Sequence, residues 1–267
     1  MNTVYFDHNV LIEVCKREDV PPSGRFGLLV TEGKIKPIFS SWHWVEAARM
    51  RNLAEATRLA KLLDWCNGLW LPDPRSLMLR EIKYATGKTA LAPFLNSPRE
   101  VAADLFAPIV GYVLIDSVDV IQRWKTHPAA LARIMETYRL TRSSFKRNLR
   151  AYRSGLLTPY REKMMILRAV ALLAAQHGLF LDAHELSRLD LTRMPALTIE
   201  VELWKIEWAR GGTLRWQHFV DNQHLIAAMA YVDCYVSSDV RTRKLAEQLK
   251  QRCKPAKAKV VASLEEL

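Results

Sequence analysis

The chain has 267 residues, 49% hydrophobic and 25% charged, which is enough apolar material for a sizeable core. Its 39 Lys+Arg against 28 Asp+Glu give a formal net charge of +11, which favours a polyanionic partner, either nucleic acid or an acidic membrane surface. No run approaches the roughly 20 apolar residues of a transmembrane helix, the N-terminus reads unlike a signal peptide, and four scattered cysteines argue against a disulfide or zinc framework, so the expected compartment is the cytoplasm.

Thr3 to Phe6 reads as a buried strand, and Asn9 to Lys16 as a helix with Val10, Leu11 and Val14 on one face. Pro21-Pro22-Ser23 breaks the chain, Ser23 is placed to cap a short helix through Val30, and Gly33 stops it. Lys36 to Ser40 is a second strand. Ser41 caps the next helix, whose apolar stripe runs Trp44, Val45, Ala48, Leu59, Leu62 and Leu63, and Trp70 to Pro74 is a third extended piece. From Ser76 the pattern is helical, punctuated by Pro93, Pro98, Pro108, Pro128, Pro159 and Gly178, up to a helix over 199–210 ended by Gly211-Gly212. A helix from Leu225 to Tyr231 opened by Asp221, a strand from Cys234, a basic helix over 241–252 and a last strand over 259–263 complete the order.

Strands alternating with helices imply βαβ units on a parallel sheet. The expected architecture is α/β: a parallel sheet flanked by helices, built from residues 1–75 and 213–267 and interrupted by a large all-helical insertion, 76–212. That insertion is either a lobe of its own or a ring of helices around the sheet.

Four acids stand out by position: Asp7 after the first strand, Glu46 early in the helix after the second, Asp221 at the late helix and Asp239 after the late strand. Acids at the C-terminal ends of parallel strands point into the crevice where open α/β sheets bind ligands. Carboxylates gathered there repel by roughly 1 to 4 kcal/mol per pair at about 4 Å, depending on the dielectric. A divalent cation with oxygen ligands, Mg²⁺ or Mn²⁺, removes that penalty and suits metal-assisted phosphodiester hydrolysis. Taken singly, each acid also has a plain structural role: Asp7, Asp221 and Asp239 as helix N-caps, and Glu46 as a solvated helix residue. His8, His224 and Asp233 lie close by in sequence. The histidines suit phosphate contact or proton transfer or an ordinary hydrogen bond, and Asp233 a turn.

The string Val4-Tyr-Phe-Asp7-His-Asn9 resembles the first motif of PIN-domain nucleases, and Ser41-Trp-His-Trp-Val-Glu46 the second. Asp221 to Ala230, then Tyr235-Val-Ser-Ser-Asp239, is similar to the third and fourth. The resemblance covers about residues 1–74 and 219–263. It implies a PIN-like fold and a Mg²⁺- or Mn²⁺-dependent nuclease, usually acting on RNA, with Asp7, Glu46, Asp221 and Asp239 as the acidic metal site and Asn9 and Ser238 as polar helpers. The insertion has no counterpart in the small toxins of that family. A haloacid-dehalogenase-type phosphatase would place a second Asp where this chain has Asn9.

Between Tyr138 and Lys163 the chain carries Arg139, Arg142, Lys146, Arg147, Arg150, Arg153, Arg161 and Lys163, interleaved with Tyr138, Phe145, Tyr152 and Tyr160. Cations track phosphates and aromatic faces stack on unpaired bases, so Arg142, Lys146, Arg147, Arg150, Arg153 and Tyr152 are the expected nucleic-acid contacts. A solvated helix with its aromatics in the core is the competing reading. The sequence expectation is a divalent-metal-dependent endoribonuclease on single-stranded RNA, favoured over DNA and over a membrane, of toxin-like or regulatory type. The alternative is a catalytically silent PIN-like module binding nucleic acid or protein. An inhibitory protein partner and oligomers stay open.

Overall fold

The computed structural model describes residues 1–101, 116–126, 128–156, 158–211 and 213–267. The expectations of helix across 102–115, of Pro108 as punctuation and of Gly212 as part of a stop lie outside them.

Short β-prone runs form five parallel strands: β1 (Asn2–Phe6), β2 (Ile35–Ser40), β3 (Leu69–Leu71), β4 (Cys234–Val236) and β5 (Lys259–Val261), in the spatial order β3-β2-β1-β4-β5. β1 pairs with β2 on one side, Val4 opposite Pro37, and with β4 on the other, Val4 opposite Cys234. The chain therefore winds outward from β1 in one direction and returns to start again in the other. A crevice opens between β1 and β4, where the strand order reverses. Side chains alternate across the strands with period two: Val4, Phe6, Phe39, Trp70 and Val236 enter one core, while Tyr5, Ile38, Leu71 and Tyr235 enter the other.

Helices cover both faces. The first core takes α1 (His8–Arg17), α2 (Arg25–Thr31), α3 (Ser41–Arg49), α4 (Leu53–Trp65) and α6 (Ser117–Thr126), with Tyr138 and Phe145 of α7 (Pro128–Arg153). The second takes α5 (Pro74–Ala85), α8 (Pro159–Gln176), α10 (Pro195–Arg210) and α12 (Val240–Arg252). α9 (Ala183–Ser187) is a short surface turn of helix without buried residues. α11 (Trp216–Ala228) serves both, giving Phe219 and Val220 to the first core and Leu225 to Ala228 to the second. Helices from 76–212 thus share both cores with the sheet and are arranged around it.

Several boundaries differ from the sequence expectation, each for a local reason. Gly24, not Ser23, is the N-cap of α2. Ser40 rather than Ser41 caps α3, because His43 reaches back to the Ser40 N–H in a capping box. The expected single helix through Leu63 is two, since Asn52 caps α4 through Ala54 N and Glu55 N and restarts the helix. Pro74 ends no strand; it is the first residue of α5, pre-set for a helix start with Asp73 as cap. Gly211 does stop α10, at φ 68°, a left-handed conformation that favours glycine. Among the described residues no helix is long and apolar enough to cross a membrane.

Candidate active site

Asp7 follows β1 directly, and its own N–H bonds Val236 O of β4, so it sits at the mouth of the crevice. Asp7 occupies the N-cap position of α1 but its carboxylate does not cap the helix. Oδ2 instead accepts from Ser237 Oγ at 2.7 Å. Ser237 in turn accepts from the Asp239 N–H at 3.2 Å. Asp239 does cap α12, taking the Thr242 N–H at 2.6 Å on Oδ1. His8, Asn9, Glu46, Arg49, Met50, Trp216, Gln217, Asp221 and Asp239 line one open cleft of about 390 Å³.

Asp221 does not open a helix. α11 starts at Trp216, and Asp221 lies in its second turn, with Gln217 Nε2 on Oδ1 and Arg241 Nη1 on Oδ2, both at 3.0 Å. Arg241 also binds Glu207, at 2.7 Å. Burial pushes the Asp221 carboxyl up to about 7, opposed by Gln217 and Arg241 and reinforced by the charges of Asp7 and Glu46. Asp7 and Glu46 are likewise raised, chiefly by burial, and the Glu46 charge adds to the shift at Asp7. The acids therefore feel one another, as a crowded anionic site requires.

Glu46 is positioned by a buried chain that the sequence did not reveal. Its Oε2 accepts from His224 Nε2 at 2.8 Å, while His224 Nδ1 takes the Tyr5 hydroxyl, which is also bonded to Ser40 Oγ at 2.6 Å. Tyr5 thereby fixes the His224 tautomer. His43, beneath it, donates from Nε2 to Phe6 O at 2.8 Å and accepts the Ser40 N–H on Nδ1. Burial pulls His8 and His224 down to about 4 and His43 to about 3, so all three rings are neutral at neutral pH. His8 Nδ1 is buried without a hydrogen-bond partner, 3.7 Å from Glu46 Oε2.

Of the expected site residues, Asp7 lies at the crevice, and Asn9, Glu46, Asp221 and Asp239 line the cleft, Asn9 with an exposed side chain. Ser238 does not: it is exposed, and the serine that reaches Asp7 is Ser237. Alternation at the strand end explains this, because successive side chains point to opposite sides and only that of Ser237 turns toward Asp7. Arg49, Trp216, Gln217 and Arg241 were missed. Gln217 alone carried a local signal, four residues before Asp221 on one helix face. Asp233 is remote, tying Thr3 N and Oγ1 at the opposite end of β1.

Arg139, Arg142, Lys146, Arg150 and Arg153 recur every three or four residues on α7, and Arg147 is exposed beside them. Tyr138 and Phe145 face the core, and Tyr152, packed 6.1 Å from Trp208, is half-exposed. Tyr138 meets Trp216 of the cleft wall at 5.3 Å, edge on, and Arg49 lies over the same Trp216 ring at 4.3 Å.

A buried, unpartnered His8 nitrogen beside clustered carboxylates suits a divalent cation. Among the described residues no three His, Cys, Asp or Glu side chains are grouped closely enough to hold one unaided. Small divalent cations keep several waters and take one or two carboxylates, so such an ion would complete its shell with water. No family model, curated protein or solved structure matches the chain.

Proposed function

We propose that the protein is a divalent-metal-dependent nuclease with a PIN-like core, most at home on single-stranded RNA. The observation that carries this reading is the gathering of Glu46, Asp221 and Asp239 on one cleft, with Asp7 beside it at the reversal of strand order, bonded to Val236 and Ser237. Mg²⁺ or Mn²⁺ there would supply a water of lowered pKa and steady charge on a phosphoryl group. One or two of Asp7, Glu46 and Asp239 would hold it, with water completing the shell. Gln217 and Arg241 occupy both oxygens of Asp221, so Asp221 orients the rim. Arg49 and the α7 cations would draw in the phosphate chain, and exposed Tyr152 and Tyr160 offer faces to unpaired bases.

The pairing of Asp221 with Arg241 also favours a second reading, because one of the four charges is already neutralised by protein. On that reading the fold binds nucleic acid or a protein partner without cutting. Cleavage of labelled single-stranded RNA and DNA by wild type and Asp239→Asn, in Mn²⁺, Mg²⁺ or EDTA, separates the two. Asn retains the capping oxygen that Asp239 gives α12, so the variant keeps its fold. Metal-dependent cutting lost in the variant is the expected result. Tight, salt-sensitive binding without cutting favours the second reading, and neither cutting nor binding overturns both.

A further inference from the structure

Three histidines surround Asp7 and Glu46, and two are fully used. His43 and His224 each engage both ring nitrogens. His8 differs: its residue is 5% exposed, it lines the cleft, and its Nδ1 meets no hydrogen-bonding atom. The atom it faces is Glu46 Oε2, 3.7 Å away, too far for a hydrogen bond. If Nδ1 carries a proton, a buried donor is left unsatisfied. If it does not, a lone pair confronts a carboxylate. Either arrangement is unfavourable for a buried atom, and a bridging species would relieve it.

Two species can bridge, and the separation discriminates between them. A water hydrogen-bonded to both atoms at about 2.8 Å holds them roughly 4.5 Å apart at a near-tetrahedral angle. A first-row cation with bonds of about 2.1 Å holds adjacent ligands about 3.0 Å apart at a right angle and about 3.5 Å apart at wider angles. The observed 3.7 Å is nearer the cation value.

We infer that His8 Nδ1 is a nitrogen ligand, shared with Glu46, to the divalent cation of the cleft, which makes the site select first-row transition ions over Mg²⁺. Imidazole suits those ions, whereas Mg²⁺ takes oxygen and water. The selectivity follows from one ring. The inference rests on the metal-dependent reading of the same cleft.

Pulsed electron paramagnetic resonance of the full chain loaded with Mn²⁺ alone reads nitrogen coordination directly. A nitrogen coupling is expected in wild type and absent in His8→Ala. Calorimetric titration should show Mn²⁺ binding weakened about tenfold or more by His8→Ala and Mg²⁺ binding changed far less. Bound Mn²⁺ without nitrogen coupling, or equal weakening of both ions, overturns the inference. Should His8→Ala fail to fold by circular dichroism, His224→Phe serves instead, and the coupling must persist in it. Wild-type cleavage of RNA in Mg²⁺ is scored alongside: cutting without nitrogen coupling removes the inference and keeps the nuclease reading, while no cutting and no Mn²⁺ binding removes both.

Discussion

Glu46 takes its orientation from residues far away in the chain. Tyr5, Ser40 and His224 reach it from two strands and a helix, and none of them falls in a local pattern that marks a site. Tyr5 reads as a core residue of β1 and His224 as one of six polar positions on α11. Removing the link has a cost that can be anticipated. His224→Phe keeps a planar ring but leaves a buried carboxylate oxygen without its donor, so unfolding in urea should show a loss of about 1–3 kcal/mol. The paired variant Glu46→Gln in that background should recover part of it, because an uncharged amide tolerates burial better.

At the scale of elements, Glu81 shows how the added helices are fastened to the sheet. Its buried carboxylate projects from α5 and accepts the first N–H groups of α10, Ala196 N at 2.6 Å and Leu197 N at 3.2 Å, together with the Tyr231 hydroxyl. It caps a helix in another part of the chain, where Met194 at the N-cap position offers no side-chain bond. Burial raises the Glu81 carboxyl to about 7 against those donors. The native state therefore holds this proton between about pH 4.5 and 7 while the unfolded chain releases it. Stability from Glu81 is fully present below about pH 4.5 and is lost as the pH rises through about 7. Urea melts at about pH 5 and about pH 7.5 should show that decline in wild type and a flatter profile in Glu81→Gln.

Strand and helix order was legible in the sequence because alternation, prolines and caps are local. The four acids were legible because each stands at an element end or on a short helical spacing. Three things were not: the break between α3 and α4, the use of Ser237 instead of Ser238, and the salt link from Arg241 to Asp221. The last two depend on which side chain meets another across the fold, and no spacing along the chain encodes that. The break is local, an Asn52 cap inside a continuous apolar stripe.

For the whole molecule, the +11 charge is unevenly used. Arg142, Lys146 and Arg150 recur on α7 over a helix with Glu136 as its only acid, and from Arg139 to Arg153 the stripe runs about 21 Å at about 1.5 Å per residue. That length spans several nucleotides of an extended strand. Arg142→Ala with Arg150→Ala should weaken single-stranded RNA binding and lower its salt slope by about 1.4, at about 0.7 for each phosphate no longer neutralised. Fluorescence titrations across a salt series measure both quantities. An unchanged slope would move the binding face off α7.

The order β3-β2-β1-β4-β5 also governs when a newly made chain can complete its crevice. β1 ends at Phe6, whereas the neighbour that completes its crevice, β4, begins at Cys234, well over 200 residues later. At about 5–20 residues per second, many seconds of translation separate the two. Until then Asp7 faces an open sheet edge with neither Ser237 nor Asp239 beside it. A nascent chain that stops short of Cys234 therefore leaves this crevice open, whatever else has folded.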